Sequence, residues 1–374
     1  MLKGIHLTLM IGPAVPIPAP QSVMDALTSI QVNTSTERNG FQLTFAVSKE
    51  SPLLKMMLPA GYFDPMATRV IIIVTLGGMP NVLMDGMITR QELSPSNEPG
   101  QSTLTVTGED LSVLMDVIEV QRPFPAMPEV AQIYTILAPY AAFGIVPIAV
   151  PPLIPVARSP TRGYYNQNST DLSYIRRLAR ECGYVFYVEP GPAPGSSIAY
   201  FGPDIRIPNP QPSLNVNMDV HTNVESLSFS LDGLAKRIMV VNVFDPFTRR
   251  IPIPIPVPTF SIFRPPLGAR PTPPAKVEFA NNVATLDPDD AARQILGILL
   301  RSSDAISGNG SLDVLRYGRV LRSRQLVGVR GASLAYDGLY YVNSVTHNIK
   351  RGEYKQNFTL SRDGLISLTP RVVV

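Results

Sequence analysis

Phe41, Leu43, Phe45 and Val47 occupy every second position, with Gln42 and Thr44 between them. A period of two marks a half-buried strand. Asn39-Gly40 just ahead is a turn signal, so this run pairs with an earlier strand through Ile30 and Val32. Leu2 to Ile11 alternates in the same way and predicts an opening strand. Arg69 to Leu76 is a β-branched run, Gly77-Gly78 turns it, Val82 to Leu93 returns, and Gln101 to Thr107 closes the set. These strands predict a small antiparallel barrel or sandwich.

The pattern then changes period. Glu109 to Ile118 and Pro128 to Ala138 predict helices. From Ser169 to Val188 the chain predicts a capped helix that runs directly into a strand. Thr170 serves as N-cap, with Asp171 at the positive end of the helix dipole. Leu172, Ile175, Leu178, Ala179 and Cys182 share one face at spacings of three and four, and Gly183 supplies the stop. Arg176, Arg177 and Arg180 point away from that face. Tyr184 to Val188 reads as the strand, with Ser197 to Phe201 as its partner.

The last third returns to strands. Val224 to Ser230 alternates, Arg237 to Phe244 continues, and Tyr340 to Ile349 forms a hairpin with Glu353 to Leu360 over Lys350-Arg351-Gly352. Within the Pro-rich stretch 245–275, residues 251–258 read Ile-Pro-Ile-Pro-Ile-Pro-Val-Pro. Prolines lack the amide donor that the middle of a sheet requires. The run therefore predicts an extended, polyproline-like segment, either a spacer or an arm that clamps a neighbouring subunit. A helix is expected after Asp287, with Pro288 at its first position and Asp289 and Asp290 in its first turn. There is also an internal echo. Met84-Asp85-Gly86 leads to Leu104-Thr105-Val106 and Glu109-Asp110, much as Tyr336-Asp337-Gly338 leads to Phe358-Thr359-Leu360 and Asp363.

The predicted fold class is thus mainly β with α+β insertions, made of two similar small antiparallel β-barrels and a mixed α/β middle region. The expected divisions are 1–108, 109–215 and 216–374. Composition narrows the function. Among 374 residues, 45% are apolar but only 16% are charged, so much of the surface is suited to meeting other protein. A formal charge of +3 provides no footprint for stable nucleic-acid binding. Val130 to Ala157 carries no charge and is long enough to span a bilayer, but five prolines interrupt it. It predicts a helix to about Pro139 followed by a packed loop, without membrane insertion. The short apolar start resembles an export signal only faintly, and the expected location is the bacterial cytoplasm.

The search for chemistry yields no catalytic, cofactor-binding or metal-ligating residue. His6, His221 and His347 have no second histidine or cysteine at ligand spacing, and His347 is expected to be a packed strand residue. Cys182, the one cysteine, excludes an internal disulfide framework and reads as an inert core thiol. No nucleophile elbow, Walker loop or dinucleotide fingerprint occurs, and Gly328 to Gly331 is too short to replace one. Tyr164 and Tyr165 beside Arg162 predict an interface pair. The expectation is a protein that is not an enzyme and carries no cofactor.

Four motifs, in order, are similar to the baseplate hub family of contractile tails, which includes the phage late-control protein D and the N-terminal hub part of VgrG-type spikes. They are Ser169-Thr170-Asp171 with Ile175-Arg176-Arg177-Leu178 and Glu181-Cys182-Gly183-Tyr184; Ile198 to Pro203; Asn223 to Phe229; and Asp337 to Val342 with His347 and Phe358-Thr359-Leu360. The resemblance covers roughly residues 100–374. It implies a homotrimer with two barrels per chain, adapting a sixfold tail tube to a threefold spike and lining the channel. It also implies tail-tube and other baseplate or wedge proteins as partners, and a place in the virion tail or an injection particle. Because the chain ends at Val374, the spike is expected to be a separate protein. The alternatives are a tail-associated cell-wall-degrading enzyme and a simple tube or adaptor protein.

Overall fold

The structure, a computed structural model, describes residues 4–13, 15–36, 38–98, 101–154, 165–206, 209–244, 252–257, 264–280, 295–297 and 304–368. In the first third the chain forms β1 (Ile5–Gly12), β2 (Ile17–Pro18), α1 (Gln21–Ala26), β3 (Leu27–Ser35), β4 (Gly40–Val47), β5 (Arg69–Leu76), β6 (Met79–Ser94) and β7 (Ser102–Asp110). The alternation in β4 buries Phe41, Leu43, Phe45 and Val47, as its period requires. Gly77 and Gly78 take φ of 58° and 84°, and this left-handed pair closes β5 onto β6.

The middle region contains β8 (Glu119–Phe124), α2 (Glu129–Leu137), β9 (Ile145–Ala149), β10 (Tyr165–Thr170), α3 (Asp171–Cys182), β11 (Val185–Pro190) and β12 (Ser197–Gly202). Helix α3 forms as its sequence directs. Thr170 Oγ1 accepts the Ser173 amide at 3.3 Å, and Gly183 ends the helix at φ 70°. A side chain at Gly183 would also strike Gly297, whose Cα lies 2.6 Å from the Cβ position. Tyr174 joins the buried face that the apolar spacing marks, and donates from its hydroxyl to Gln132 Oε1 at 2.6 Å. Two expectations fail here. Residues 109–118 do not form an α-helix: β7 runs to Asp110, and a 3-10 turn follows over Leu111–Asp116 with the Asp110 side chain capping it. The packed loop expected after Pro139 instead contains a 3-10 turn (Ala138–Phe143) and β9, which pairs in parallel with β12. Pro147 is tolerated because β9 lies on the edge of its sheet.

The last third supplies β13 (Gln211–Asn215), β14 (Ser226–Leu231), β15 (Arg237–Phe244), β16 (Pro252–Val257), β17 (Gly268–Pro271), β18 (Lys276–Ala280), β19 (Ile306–Asp313), α4 (Val314–Tyr317), β20 (Leu326–Arg330), β21 (Gly338–Lys350), β22 (Glu353–Arg362) and β23 (Gly364–Ser367). The proline run is not a detached arm. As β16 it pairs antiparallel with β15, on the edge of a three-stranded sheet where missing donors cost no ladder bonds. Of the helix expected after Asp287 only residues 295–297 are described, and they are helical; its predicted start lies outside the described residues.

The protein is mainly β with helical insertions, but the two barrels are not closed. One 13-stranded sheet runs β14-β19-β22-β21-β3-β4-β7-β6-β5-β1-β2, with β20 and β13 branching from β21. The reason is the length of β21. Its first half pairs with β20; from Ser344 onward it pairs with β3, placing Val32 opposite His347. Strands from the two ends of the sequence thus share one ladder. The largest apolar core draws on both, uniting Val32, Phe41, Leu43 and Phe45 with Val345, Phe358 and Leu360. A second core belongs to the middle region around Phe124, Ile133, Ile175, Leu178 and Phe201.

Candidate functional site

The titratable residues that could have suggested catalysis serve the fold. His6 is exposed on β1 and His221 in a short 3-10 turn. His347 is buried in β21. Gln356 fixes its own amide by donating to the Leu321 carbonyl and accepting the Leu321 amide, so its Nε2 faces His347 Nδ1 at 3.2 Å. Nδ1 must therefore accept, and it also lies 2.7 Å from the Tyr354 hydroxyl. Burial lowers the His347 pKa to about 3, and the nearby Arg322 charge adds to the effect, so the ring is neutral at pH 7. Cys182 is buried on the core face of α3. Glu109 lies in β7, and Asp110 divides its carboxylate between the Ser112 amide (2.9 Å) and Asn39 Nδ2 (2.9 Å). Burial raises the Asp110 pKa against those hydrogen bonds. Tyr165 pairs with Phe124 between β10 and β8; Arg162, Tyr164, Asp289 and Asp290 lie outside the described residues. No group of three His, Cys, Asp or Glu side chains is placed to hold a metal among the described residues. No helix among them is long and apolar enough to cross a membrane.

What the polar side chains build is a junction between the large sheet and the middle region. Arg69 and Asp85 form a buried bidentate pair, both contacts 2.7 Å, and Arg69 Nη2 also donates to the Gly195 carbonyl just before β12. Asn39, expected only as a turn residue, is buried and donates to the Val188 carbonyl on β11 at 3.0 Å. Arg324 lies over the Tyr187 ring at 4.1 Å and donates to the Ser35 carbonyl. A second group lines a cavity of about 260 Å³. There Arg206 lies 4.1 Å above the Tyr341 ring and donates to Asp304 at 2.8 Å, while Arg264 and the Tyr341 hydroxyl both meet Asp204. Burial alone would lower the Arg206 pKa; Asp304 and Asp204 hold it raised instead. Each cation in this group has an anionic or aromatic partner, so the cavity reads as a brace. Only the arginines and aspartates were visible in the sequence; nothing in their spacing marked them as neighbours.

The surface offers docking features. Val146 and Ile148 stand exposed on β9, Val277 and Phe279 on β18, and Val117 and Ile118 just ahead of β8. Isolated apolar residues are ordinary on a surface, but these pairs lie on or beside sheet edges, where another chain can add.

No family model matches the sequence, and no characterised protein matches it by sequence alone. The fold itself is that of phage tail proteins and of a type VI secretion component. The tail protein of Neisseria meningitidis MC58 is 15% identical over 97% of this chain and 98% of that one, with a TM-score of 0.61. The 43 kDa tail protein of prophage MuSo2 from Shewanella oneidensis is 12% identical over 97% and 100%, with a TM-score of 0.63. An Escherichia coli component of the type VI secretion system is 13% identical over 93% of this chain and 78% of that one, with a TM-score of 0.52.

Proposed function

We propose that the protein is the structural baseplate hub of a contractile phage tail or phage-like injection particle. Three chains form a ring that receives the tail tube on one side and a trimeric spike on the other, and the ring lines the channel between them. The observation that carries this reading is the doubled hairpin. The first echo lies on β6–β7 and the second on β21–β22, with Tyr336 and Asp337 just ahead of β21 and Asp363 just past β22; the two are antiparallel ladders within one sheet. Two like units per chain give six in a trimer, the number needed to meet a sixfold tube with a threefold spike. The end-to-end likeness to tail proteins supports the setting, and the low charge suits a chain packed among other proteins and a channel that does not hold its cargo. The protein catalyses no reaction in this reading and is assembled in the bacterial cytoplasm.

Imaging of assembled particles tests it, together with the native mass of the purified chain alone and with its spike. Three copies at the tube–spike junction are expected. Six copies, or a position elsewhere on the particle, overturn the hub reading. Peptidoglycan hydrolysis that is lost on substituting a single Asp, Glu or His would overturn the non-enzymatic part.

A further inference from the structure

The doubling extends beyond the two hairpins. In the first third the antiparallel order is β3-β4-β7-β6-β5; in the last third it is β14-β19-β22-β21-β20, again antiparallel throughout, and only the sixth strands differ, β1 joining β5 antiparallel and β13 joining β20 parallel. The long strand of each set carries a one-residue bulge against its hairpin partner, between Ile88 and Arg90 in β6 and between Val342 and Ser344 in β21. In each set the bulge also marks where the short neighbour ends. Strand β5 leaves β6 after Met87, and β20 leaves β21 after Tyr341. Past its bulge β21 takes up β3, the first strand of the other set.

Among the described residues no strand takes the equivalent position in the other set. Past its bulge, residues 89–94 of β6 have β7 on one side and no strand on the other among the described residues. Strand β14, the counterpart of β3, has β19 on one side and likewise no strand on the other. We infer that the outer edge of β14 in one chain adds antiparallel to residues 90–94 of β6 in the next copy, repeating between chains the joint that β3 and β21 make within one. The two edges stand at opposite ends of an eight-strand path, β14 to β6, so the natural occupant of each is a second copy.

The backbone is set for this. The Asp232 amide bonds to the Ala305 carbonyl at 2.9 Å, which fixes the alternation of the β14–β19 ladder. The amides and carbonyls of Leu227, Phe229 and Leu231 therefore face the open edge. Matching the two bulges also gives the register. Phe229, Ser230 and Leu231 take the places of Val32, Asn33 and Thr34, and Gln91, Glu92 and Leu93 take those of Val345, Thr346 and His347. Ser230 then stands opposite Glu92, Leu231 opposite Gln91, and Asp232 opposite Arg90, an attractive pair. Leu93 and Leu231, 42% and 41% exposed in the single chain, both lie within the joint. Because every copy offers one edge of each kind, the contact is head-to-tail, and under the threefold symmetry of the hub reading it closes into a ring. The size of the ring rests on the hub reading; the strand pairing does not.

The test is a full-length chain carrying Ser230→Cys and Glu92→Cys, a facing pair whose side chains come within disulfide reach, with Cys182 left buried. Mild oxidation with diamide should give covalent multimers up to a closed ring, whereas a mixture of the two single variants should stop at dimers. Leu231→Pro removes an outward amide at an edge position, and should leave the melting temperature unchanged while abolishing assembly. Particles of three copies that neither cross-link nor respond to Leu231→Pro would overturn the joint and leave the hub reading standing. Cross-linked rings of another size would support the joint and overturn the trimer. A chain that stays monomeric and uncross-linked at every concentration overturns both.

Discussion

Arg69 on β5 and Asp85 on β6 meet diagonally across the ladder as a fully buried pair, guanidinium Nε and Nη2 each 2.7 Å from a carboxylate oxygen. The pair also fastens the sheet to the middle region, since Arg69 donates to the Gly195 carbonyl and Ser197 Oγ donates to Asp85 at 3.3 Å. Asp85→Ala should cost about 3–5 kcal/mol, because it leaves a buried cation without its partner. Replacing both residues with apolar side chains should recover most of that loss. Urea unfolding of the two single variants and the double variant provides the cycle; simple additivity would show that the two residues are not coupled.

His347 predicts an acid limb in stability. Its folded pKa, about 3, lies below the unfolded value near 6.5, so the unfolded chain binds the extra proton between these limits. The stability held by the neutral ring is complete above pH 6.5 and is lost as pH falls toward 3. Between pH 7 and pH 5 the loss should be on the order of 1–2 kcal/mol, and His347→Gln should flatten that part of the curve. An unchanged acid limb in the variant would assign the effect to other groups.

Leu178 and Arg177 are adjacent but face opposite ways. Leu178 is 3% exposed in the middle core, whereas the Arg177 side chain is half exposed over the Tyr174 ring. Leu178→Ala should cost about 2–5 kcal/mol and Arg177→Ala less than about 1. Equal shifts in thermal melting would contradict the facing of α3.

Among the described residues strand β16 pairs with β15 alone, in a small sheet with no ladder to the 13-stranded one. Deleting residues 251–258 should therefore leave the melting of the large sheet unchanged while lowering the yield of assembled trimer. Gel filtration and differential scanning calorimetry on the same sample separate the two effects. Full assembly without these residues would make the segment a spacer.

Local chemistry was legible in the sequence where local forces decide. The alternation of β4, the Gly77-Gly78 turn, the cap and stop of α3 and the β21–β22 hairpin stand where the residues indicated. The failures share a cause. Pro147 and the prolines of 252–257 argue against a strand only if the strand needs donors on both sides, and edge position cannot be seen locally. Asn39 gave a turn signal, but its burial depends on Asp110 and Val188, both remote in sequence. The pairing of Val32 with His347 is the extreme case: nothing near either residue names the other, so two small barrels were expected where one shared ladder exists.

That ladder also governs how the molecule bears load. A thrust on one half of the chain need not cross a flexible linker to reach the other, because β3 and β21 lie side by side over seven register pairs from Ser29 to Ser35. Force along the strands would shear these backbone hydrogen bonds together, not peel them one at a time. The two halves are thereby denied a hinge, and a push delivered at one rim of the sheet arrives at the other as a displacement of the whole.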